Sequence, residues 1–412
     1  LNLVAVPLMA VAQIAGMAIV PVSLASPRLA AGLGAIAHAG AEGLVRSAGL
    51  VDWVPFITWR VVPPPLTVTC GYYASVVAAW WLWRRRIRIS GSQERRLTKA
   101  VRLSAVCVAT IAAIWILCDP FIAWRRPAGL RVTFLDVGQG DAALVQMPAG
   151  QSLLVDAGGL TGRSAFDIGD RVVAAVLRRK GVERLGTMVI THGDADHAGG
   201  AVAIAGEFKP FDIWEGVPVP PLAALAAVRD AGRRAGSRWT RVRDGDEIGI
   251  GDVAIVVRHP PPPDWERQDV RNDDSIVLEL RWREVSIVFT GDIGADVEET
   301  LGPAFEPSPL RVMKVPHHGS LSSSSTPFVR RLAPRAAVVS AGRSNTFGHP
   351  APAVLDRYRA VGADIFRTDR DGAITLESDG HSLSFTTYNG RRVLIRPVAS
   401  HESSKDTKPH QG

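Results

Sequence analysis

A break in composition near residue 126 constrains this chain more than any other feature. Before it the sequence is apolar and Trp-rich with few acids; after it runs the ordinary mixture of a water-soluble α/β domain. The two stretches call for different solvents. The chain is therefore expected to fold as a membrane region, residues 1–126, and a soluble region, residues 127–398. The polar tail, residues 399–412, is expected to be disordered. The chain begins with Leu1 inside an apolar run, which points to a fragment or a misassigned start.

Three uncharged runs are candidates for transmembrane helices. Leu1 to Pro27 has no charged residue and lacks the basic start and cleavage site of a secretory signal. Pro65 to Trp83 ends in the aromatic cluster Trp80, Trp81 and Trp83, as at a membrane interface. Leu103 to Trp124 is interrupted only by Asp119-Pro120. Leu29 to Val62, with Glu42, Arg46, Asp52 and Arg60, reads instead as an interfacial helix. Between the second and third runs, Arg84 to Arg102 holds eight basic residues against Glu94 alone. By the positive-inside rule that loop is expected to be cytoplasmic, and everything after Arg126 to lie on the outer face of the membrane. The net charge of +7 suits an anionic partner, but this loop accounts for much of it.

In the soluble region the densest chemistry is Thr191-His192-Gly193-Asp194-Ala195-Asp196-His197, directly after the apolar run Thr187 to Ile190. Packing does not ask for two histidines and two aspartates so close together. Unpaired they would carry a heavy desolvation cost, whereas around a divalent metal they neutralise one another. All three cysteines (Cys70, Cys107, Cys118) lie in the apolar part, so a metal in the soluble part must be held by His and carboxylate.

Other motif loops also follow short strands. Arg131 to Leu135 leads into Asp136-Val137-Gly138-Gln139-Gly140-Asp141, and Ser152 to Val155 into Asp156-Ala157-Gly158-Gly159. Asp167 to Lys180 has helical periodicity and stops at Gly181. A hairpin over 275–280 and 285–290 closes on Gly291-Asp292. A strand over 311–315 runs into Pro316-His317-His318-Gly319-Ser320, and Ala336 to Ser340 leads to Asn345-Thr346-Phe347-Gly348-His349-Pro350. Asp136 and Asp156 read equally as turn formers or as residues that orient a metal ligand. His317 and His318 read as site-lining, His259 and His38 as structural, and His381, His401 and His410 as solvated. Residues 222–238 read as a helix carrying Arg229, Arg233, Arg234 and Arg238, either a solvated face or a phosphate track.

With these loops in place, the chain resembles the metallo-β-lactamase fold superfamily and, within it, the C-terminal domain of ComEC-type DNA-uptake proteins. The resemblance rests on the motifs at 136–142, 154–159, 191–200, 290–292, 314–320 and 345–350, in that order across the soluble region. The apolar segments resemble the end of the competence membrane domain. The resemblance implies an αββα sandwich preceded by transmembrane helices, with two divalent metal ions (Zn or Mn). His192 and Asp194 would serve one ion, Asp196 and His197 the other, Asp292 would bridge, and His349 would complete the second site. Asp194 stands where many members of the superfamily carry His. The third His of the first site has no counterpart; Asp273, Asp274 and Ser275 are nearest, and His317 or His318 could approach instead. A carboxylate-richer site would favour manganese over zinc.

The implied activity is phosphodiester hydrolysis on DNA during uptake. Asp196 would orient the attacking water or accept its proton, and His317 or His318 would donate to a phosphate oxygen or the leaving group. The implied partners are DNA, the lipid bilayer and other uptake machinery. Two alternatives stand beside it: a membrane-anchored hydrolase of a small ester, lactone or phosphodiester, and a catalytically inactive channel module.

Overall fold

A computed structural model of the chain describes residues 2–49, 62, 64–85, 92–118, 127–160, 166–216, 223–262 and 272–397. Two compact units divide it, Leu1–Pro64 and Pro65–Gly412. The first unit is a helix pair, Asn2–Ser23 and Pro27–Ala48. Pro27 opens the second helix under an N-cap by Ser26, whose hydroxyl accepts from Leu29 N–H. The two helices pack closely at Gly40, where a Cβ would stand 3.0 Å from the backbone nitrogen of Ala12. Much of the stretch read as interfacial is thus a helix packed on the first.

In the second unit, Leu66–Arg85 and Ser92–Cys118 form another packed helix pair. Among the described residues two helical stretches are long and apolar enough to cross a membrane, Val4–Ser23 and Lys99–Cys118. Leu66–Arg85 has the length, but Thr67, Thr69, Gly71, Ser75 and its tyrosines dilute its apolar character below theirs. Residues 86–91 of the basic loop, the flank 119–126 and the tail 399–412 lie outside the described residues.

From Leu130 onward the strands, numbered in chain order, build two sheets. The first runs in the order β16 (Arg392–Ile395), β15 (Leu383–Thr387), β14 (Ile374–Ser378), β1 (Leu130–Phe134), β2 (Ala143–Gln146), β3 (Ser152–Val155), β4 (Thr187–Val189), β5 (Asp212–Glu215) and β6 (Arg238–Arg241). The second runs in the order β13 (Asp364–Arg367), β12 (Ala336–Val339), β11 (Leu310–Lys314), β10 (Val285–Phe289), β9 (Val277–Trp282), β8 (Val253–His259) and β7 (Glu247–Ile250). Strands β3 to β6 are mutually parallel, as are β10 to β13. Parallel strands need crossovers, and the helices of those crossovers cover the outer faces.

Side-chain alternation sorts the strand residues into three apolar layers. Phe134, Val145, Val189, Leu278, Phe289 and Val312 meet between the sheets, with the Phe134 and Phe289 rings 6.1 Å apart. Leu144, Leu154 and Met188 face outward under the helices Ala174–Arg179, Ala201–Phe208 and Ala223–Ala235. Val288, Met313 and Val339 face the opposite way, under Ala295–Leu301, Thr326–Leu332 and Pro352–Ala360. The result is an αββα sandwich whose parallel strands end together, and the motif loops follow those ends. The helix read over 222–238 stops at Ala235, because Gly236 turns with φ +76° and Arg238 opens β6. Arg238 and Arg229 pair with Asp212 and Glu215, and Arg233 with Asp230, so the four arginines do not make one helical stripe.

Candidate metal centre

Three loops of the first sheet are laced by their backbones before any side chain is considered. Asp141 N–H donates to Asp196 carbonyl at 3.0 Å, Gly158 N–H to Asp141 carbonyl at 2.8 Å, and Ala157 N–H to His197 carbonyl at 2.8 Å. The approach at Gly140 tolerates no side chain: φ is +131°, and a Cβ would stand 2.3 Å from the Asp196 carbonyl oxygen. From the second sheet, β10 delivers Asp292 and β11 delivers His317 and His318. These two histidines adopt left-handed φ values of 48° and 52°, an unfavourable conformation for a side-chain-bearing residue that the surrounding loop imposes.

Asp292 is the hub. One carboxylate oxygen lies 3.3 Å from His197 Nε2 and 3.6 Å from Lys314 Nζ; the other lies 3.3 Å from His318 Nε2 and 4.0 Å from His317 Nε2. Asp196 reaches His318 Nε2 at 3.4 Å, and Lys314 also pairs with Asp141. Among the described residues, ligand atoms of Asp141, His197, Asp292 and His318 all lie within 4.8 Å of one another, and all four residues are buried. His192 Nε2 stands 3.7 Å from Asp194, and its ring centroid is 4.1 Å from that of His197.

Each ligating ring is held from behind. Asp156 takes Thr191 N–H on one oxygen, and the Thr191 hydroxyl and His197 Nδ1 on the other, each at 2.8 Å. His318 Nδ1 lies 3.0 Å from the Ser340 carbonyl. Ser275 accepts from Asp292 N–H at 3.0 Å and lies 3.3 Å from His192 Nδ1. Both ligand histidines of the tight group thus offer Nε2 inward, the arrangement in which a partner on the other ring nitrogen fixes the tautomer.

The electrostatics match. Burial works against charge on His197, but Asp292 and Asp156 outweigh it and hold its pKa well above the ordinary imidazole value. In His318 burial is likewise outweighed by Asp292 and Asp141, and the pKa is pushed up to about 9. Burial would raise Asp292, yet His318 and His197 hold it well below the usual carboxylate range. Burial opposes the charge on Lys314, but Asp141 and Asp292 raise its pKa. Burial lowers His317 and His349.

The fit to a cation rests on the atoms left over. His192 Nε2, His197 Nε2, His318 Nε2 and Asp292 Oδ1 are buried and make no hydrogen bond. Four such groups converging on one region would be costly without a partner of opposite demand. Imidazole nitrogen and carboxylate oxygen together suit a borderline or hard divalent ion.

The structure thus brings His192, Asp194, Asp196, His197, Asp292, His317 and His318 to one place. His349 sits one step out, its ring 6.0 Å from that of His317 and stacked on Phe347 at 5.9 Å. Of the residues open for the first site, Asp273 accepts from Gly294 N–H, and Ser275 bonds the Asn272 and Asp292 backbones and backs His192 Nδ1; His318 is the one that reaches Asp292 closely. Asp141 and Lys314 were not singled out from the sequence. Both stand in quoted motifs, Asp141 closing the Gly-rich turn and Lys314 opening Lys-Val-Pro-His-His. His259 is structural, its Nδ1 2.9 Å from the Ser275 carbonyl. Asp136 forms a turn to Gly138, whereas Asp156 orients His197.

Fold and site define a class. The chain belongs to the metallo-beta-lactamase superfamily, whose family model matches residues 135–343. The competence protein family model matches residues 1–86. The chain is 25% identical over 355 residues to ComE operon protein 3 of Bacillus subtilis, covering 82% of this chain and 44% of the relative. It is 30% identical over 349 residues to competence protein ComA of Neisseria gonorrhoeae, covering 78% and 46%. The chain thus spans less than half the length of these relatives. Among solved structures, the metallo-beta-lactamase fold protein YhfI of Bacillus subtilis aligns over 57% of this chain and 95% of its own, with TM-score 0.39 and 11% identity.

Proposed function

We propose that this chain is a membrane-anchored, metal-dependent phosphodiesterase that cleaves DNA during uptake across the inner membrane. The observation that carries the proposal is the cluster around Asp292, carboxylate-rich and ringed by inward-facing imidazoles, in a chain whose first segment matches the competence family. The proposed division is a membrane region, 1–126, a hydrolase domain, 127–398, on the periplasmic face, and a tail, 399–412.

Asp141, His197, Asp292 and His318 would hold one divalent ion, and His192 and Asp194, sharing Asp292, a second. Such ions supply a water of lowered pKa and positive charge for the phosphate oxygens. Asp196 is partly exposed; burial works against its charge, but His318, 3.4 Å away, outweighs it and holds its pKa below the usual carboxylate value, and it takes the proton from the attacking water. His317, more exposed than His318 and held neutral by its lowered pKa, donates a hydrogen bond to a phosphate oxygen. His318, with Nε2 directed at Asp292 and Asp196, serves as a ligand instead. Lys314 places a buried positive charge against the buried carboxylates of Asp141 and Asp292.

The detergent-solubilised chain, incubated with Mn²⁺ or Zn²⁺, is expected to degrade DNA, and Asp196→Ala to abolish the activity. Turnover of small esters with DNA untouched would replace this reading with that of a small-molecule hydrolase. Bound metal with no turnover on either would leave an inactive channel module.

A further inference from the structure

Beside the metal centre, a cleft of about 750 Å³ opens between the loop carrying His349 and the segment after β13. His349 lines it, and from there the path to Asp292 runs through His317 in two steps, 6.0 Å between rings and then 4.0 Å. Four arginines line the cleft against one carboxylate, Asp369. Arg367 is tied to Asp369 at 2.6 Å and Arg359 to Asp356 at 2.6 Å. Arg343 and Arg370 are exposed, and among the described residues neither has a carboxylate partner. Next to the lining residues Gly348 and His349, Phe347 is 63% exposed although its ring stacks on His349. A large apolar ring left open beside unpaired guanidinium groups has no packing purpose.

We infer that this cleft is a track for a single strand of nucleic acid, with phosphates on Arg343 and Arg370 and a base stacked on Phe347, leading the strand to the metal centre. The chemistry selects the strand. Two exposed cations lining one cleft suit a polyanionic backbone, and an exposed ring takes the face of a base only where that base is not already stacked in a duplex. The inference deepens the phosphodiesterase reading and rests on it for the direction of the strand, but binding itself needs no hydrolysis.

The test is fluorescence anisotropy of a labelled oligothymidylate with the full chain in detergent, in a chelator so that no cleavage occurs, across a salt series. Arg343→Ala and Arg370→Ala are each expected to weaken binding about tenfold and to lower the slope of log affinity against log salt by about 0.7. Phe347→Ala is expected to weaken it about tenfold with the slope unchanged, and Phe347→Trp to retain it. Unchanged melting temperatures guard against misfolding. Wild-type affinity in all three alanine variants, or tighter binding of a duplex of equal length, overturns the inference. The two readings separate cleanly. DNA cleavage by a wild type whose variants bind normally sinks the cleft and leaves the phosphodiesterase. Variant-sensitive binding with no cleavage under any metal sinks the phosphodiesterase and leaves the cleft.

Discussion

Asp156 is the sharpest place to test how the centre is organised. Its carboxylate is buried and accepts three hydrogen bonds at 2.8 Å, from Thr191 N–H, the Thr191 hydroxyl and His197 Nδ1. Asp156→Ala deletes all three and strands at least two buried donors. At about 1–3 kcal/mol for each unsatisfied group, partly relaxed, the loss of stability should come to about 3–5 kcal/mol. Asp156→Asn separates architecture from chemistry. Its amide oxygen can still accept from Thr191 N–H, so most of the stability should return. Its amide nitrogen, however, cannot accept from His197 Nδ1, and the imidazole proton is driven to Nε2, the atom a metal needs bare. Both variants should therefore lose about 10–100-fold in metal affinity, the range typical when a ligand's supporting partner is removed. The assay is competition of the solubilised chain with a fluorescent chelator for Mn²⁺ or Zn²⁺, alongside thermal unfolding in chelator. Affinity of Asp156→Asn within twofold of wild type would refute the claim that Asp156 sets the His197 tautomer.

Three further outcomes follow from the same geometry. In the metal-free protein the raised pKa values of His197 and His318 contribute stability that is complete below about pH 6.5; the His318 share is lost as pH rises through about 9, and the His197 share as pH rises through its own raised value. Melting in chelator should fall over that window, and metal uptake near pH 7 should release protons, read by calorimetry in buffers of different ionisation enthalpy; heat independent of buffer would count against it. Lys314→Met removes the cation between Asp141 and Asp292, so it should destabilise the metal-free chain by about 3–5 kcal/mol, and added divalent ion should restore much of that. Failure of metal to rescue it would mean that Lys314 and the ion do not share those carboxylates. Glu279 is buried among Arg258, Arg281 and Arg311, at 2.6, 3.0 and 3.6 Å. Glu279→Gln should cost about 3–5 kcal/mol in unfolding experiments. Metal affinity should stay at the wild-type value, and a matching drop in affinity would contradict the separation of scaffold from site.

The chemistry was legible in this sequence because metal-binding side chains are expensive anywhere else. The strand Thr187–Val189 and the loop after it could be read from an apolar run followed by four ionisable groups, and the order of the later motifs implied the sandwich. What escaped was whatever depends on closure in three dimensions. Asp141 and Lys314 join the centre from β1 and β11, strands of different sheets, and neither has a local pattern that distinguishes it from a turn former or a surface base. The arginines after residue 222 misled for the converse reason. Spacing suggested one helical face, but Gly236 ended the helix, and Asp212 and Glu215, brought alongside by β5, claimed Arg238 and Arg229. Asp156 could not be assigned between turn and support until His197 was seen against it. Leu66–Arg85 shows that absence of charge is a weaker criterion than apolarity, since threonines, serine and tyrosines also leave a run uncharged.

The central claim is that one divalent ion is held where His197, His318, Asp141 and Asp292 converge. A crystal of the protein grown with Mn²⁺ or Zn²⁺, with data collected at the metal's absorption edge, tests it without reference to substrate. An anomalous peak within about 2.0–2.2 Å of His197 Nε2, His318 Nε2 and an Asp292 oxygen is the predicted result. A fully loaded crystal with no peak among those atoms, or with its peak elsewhere, would contradict the account.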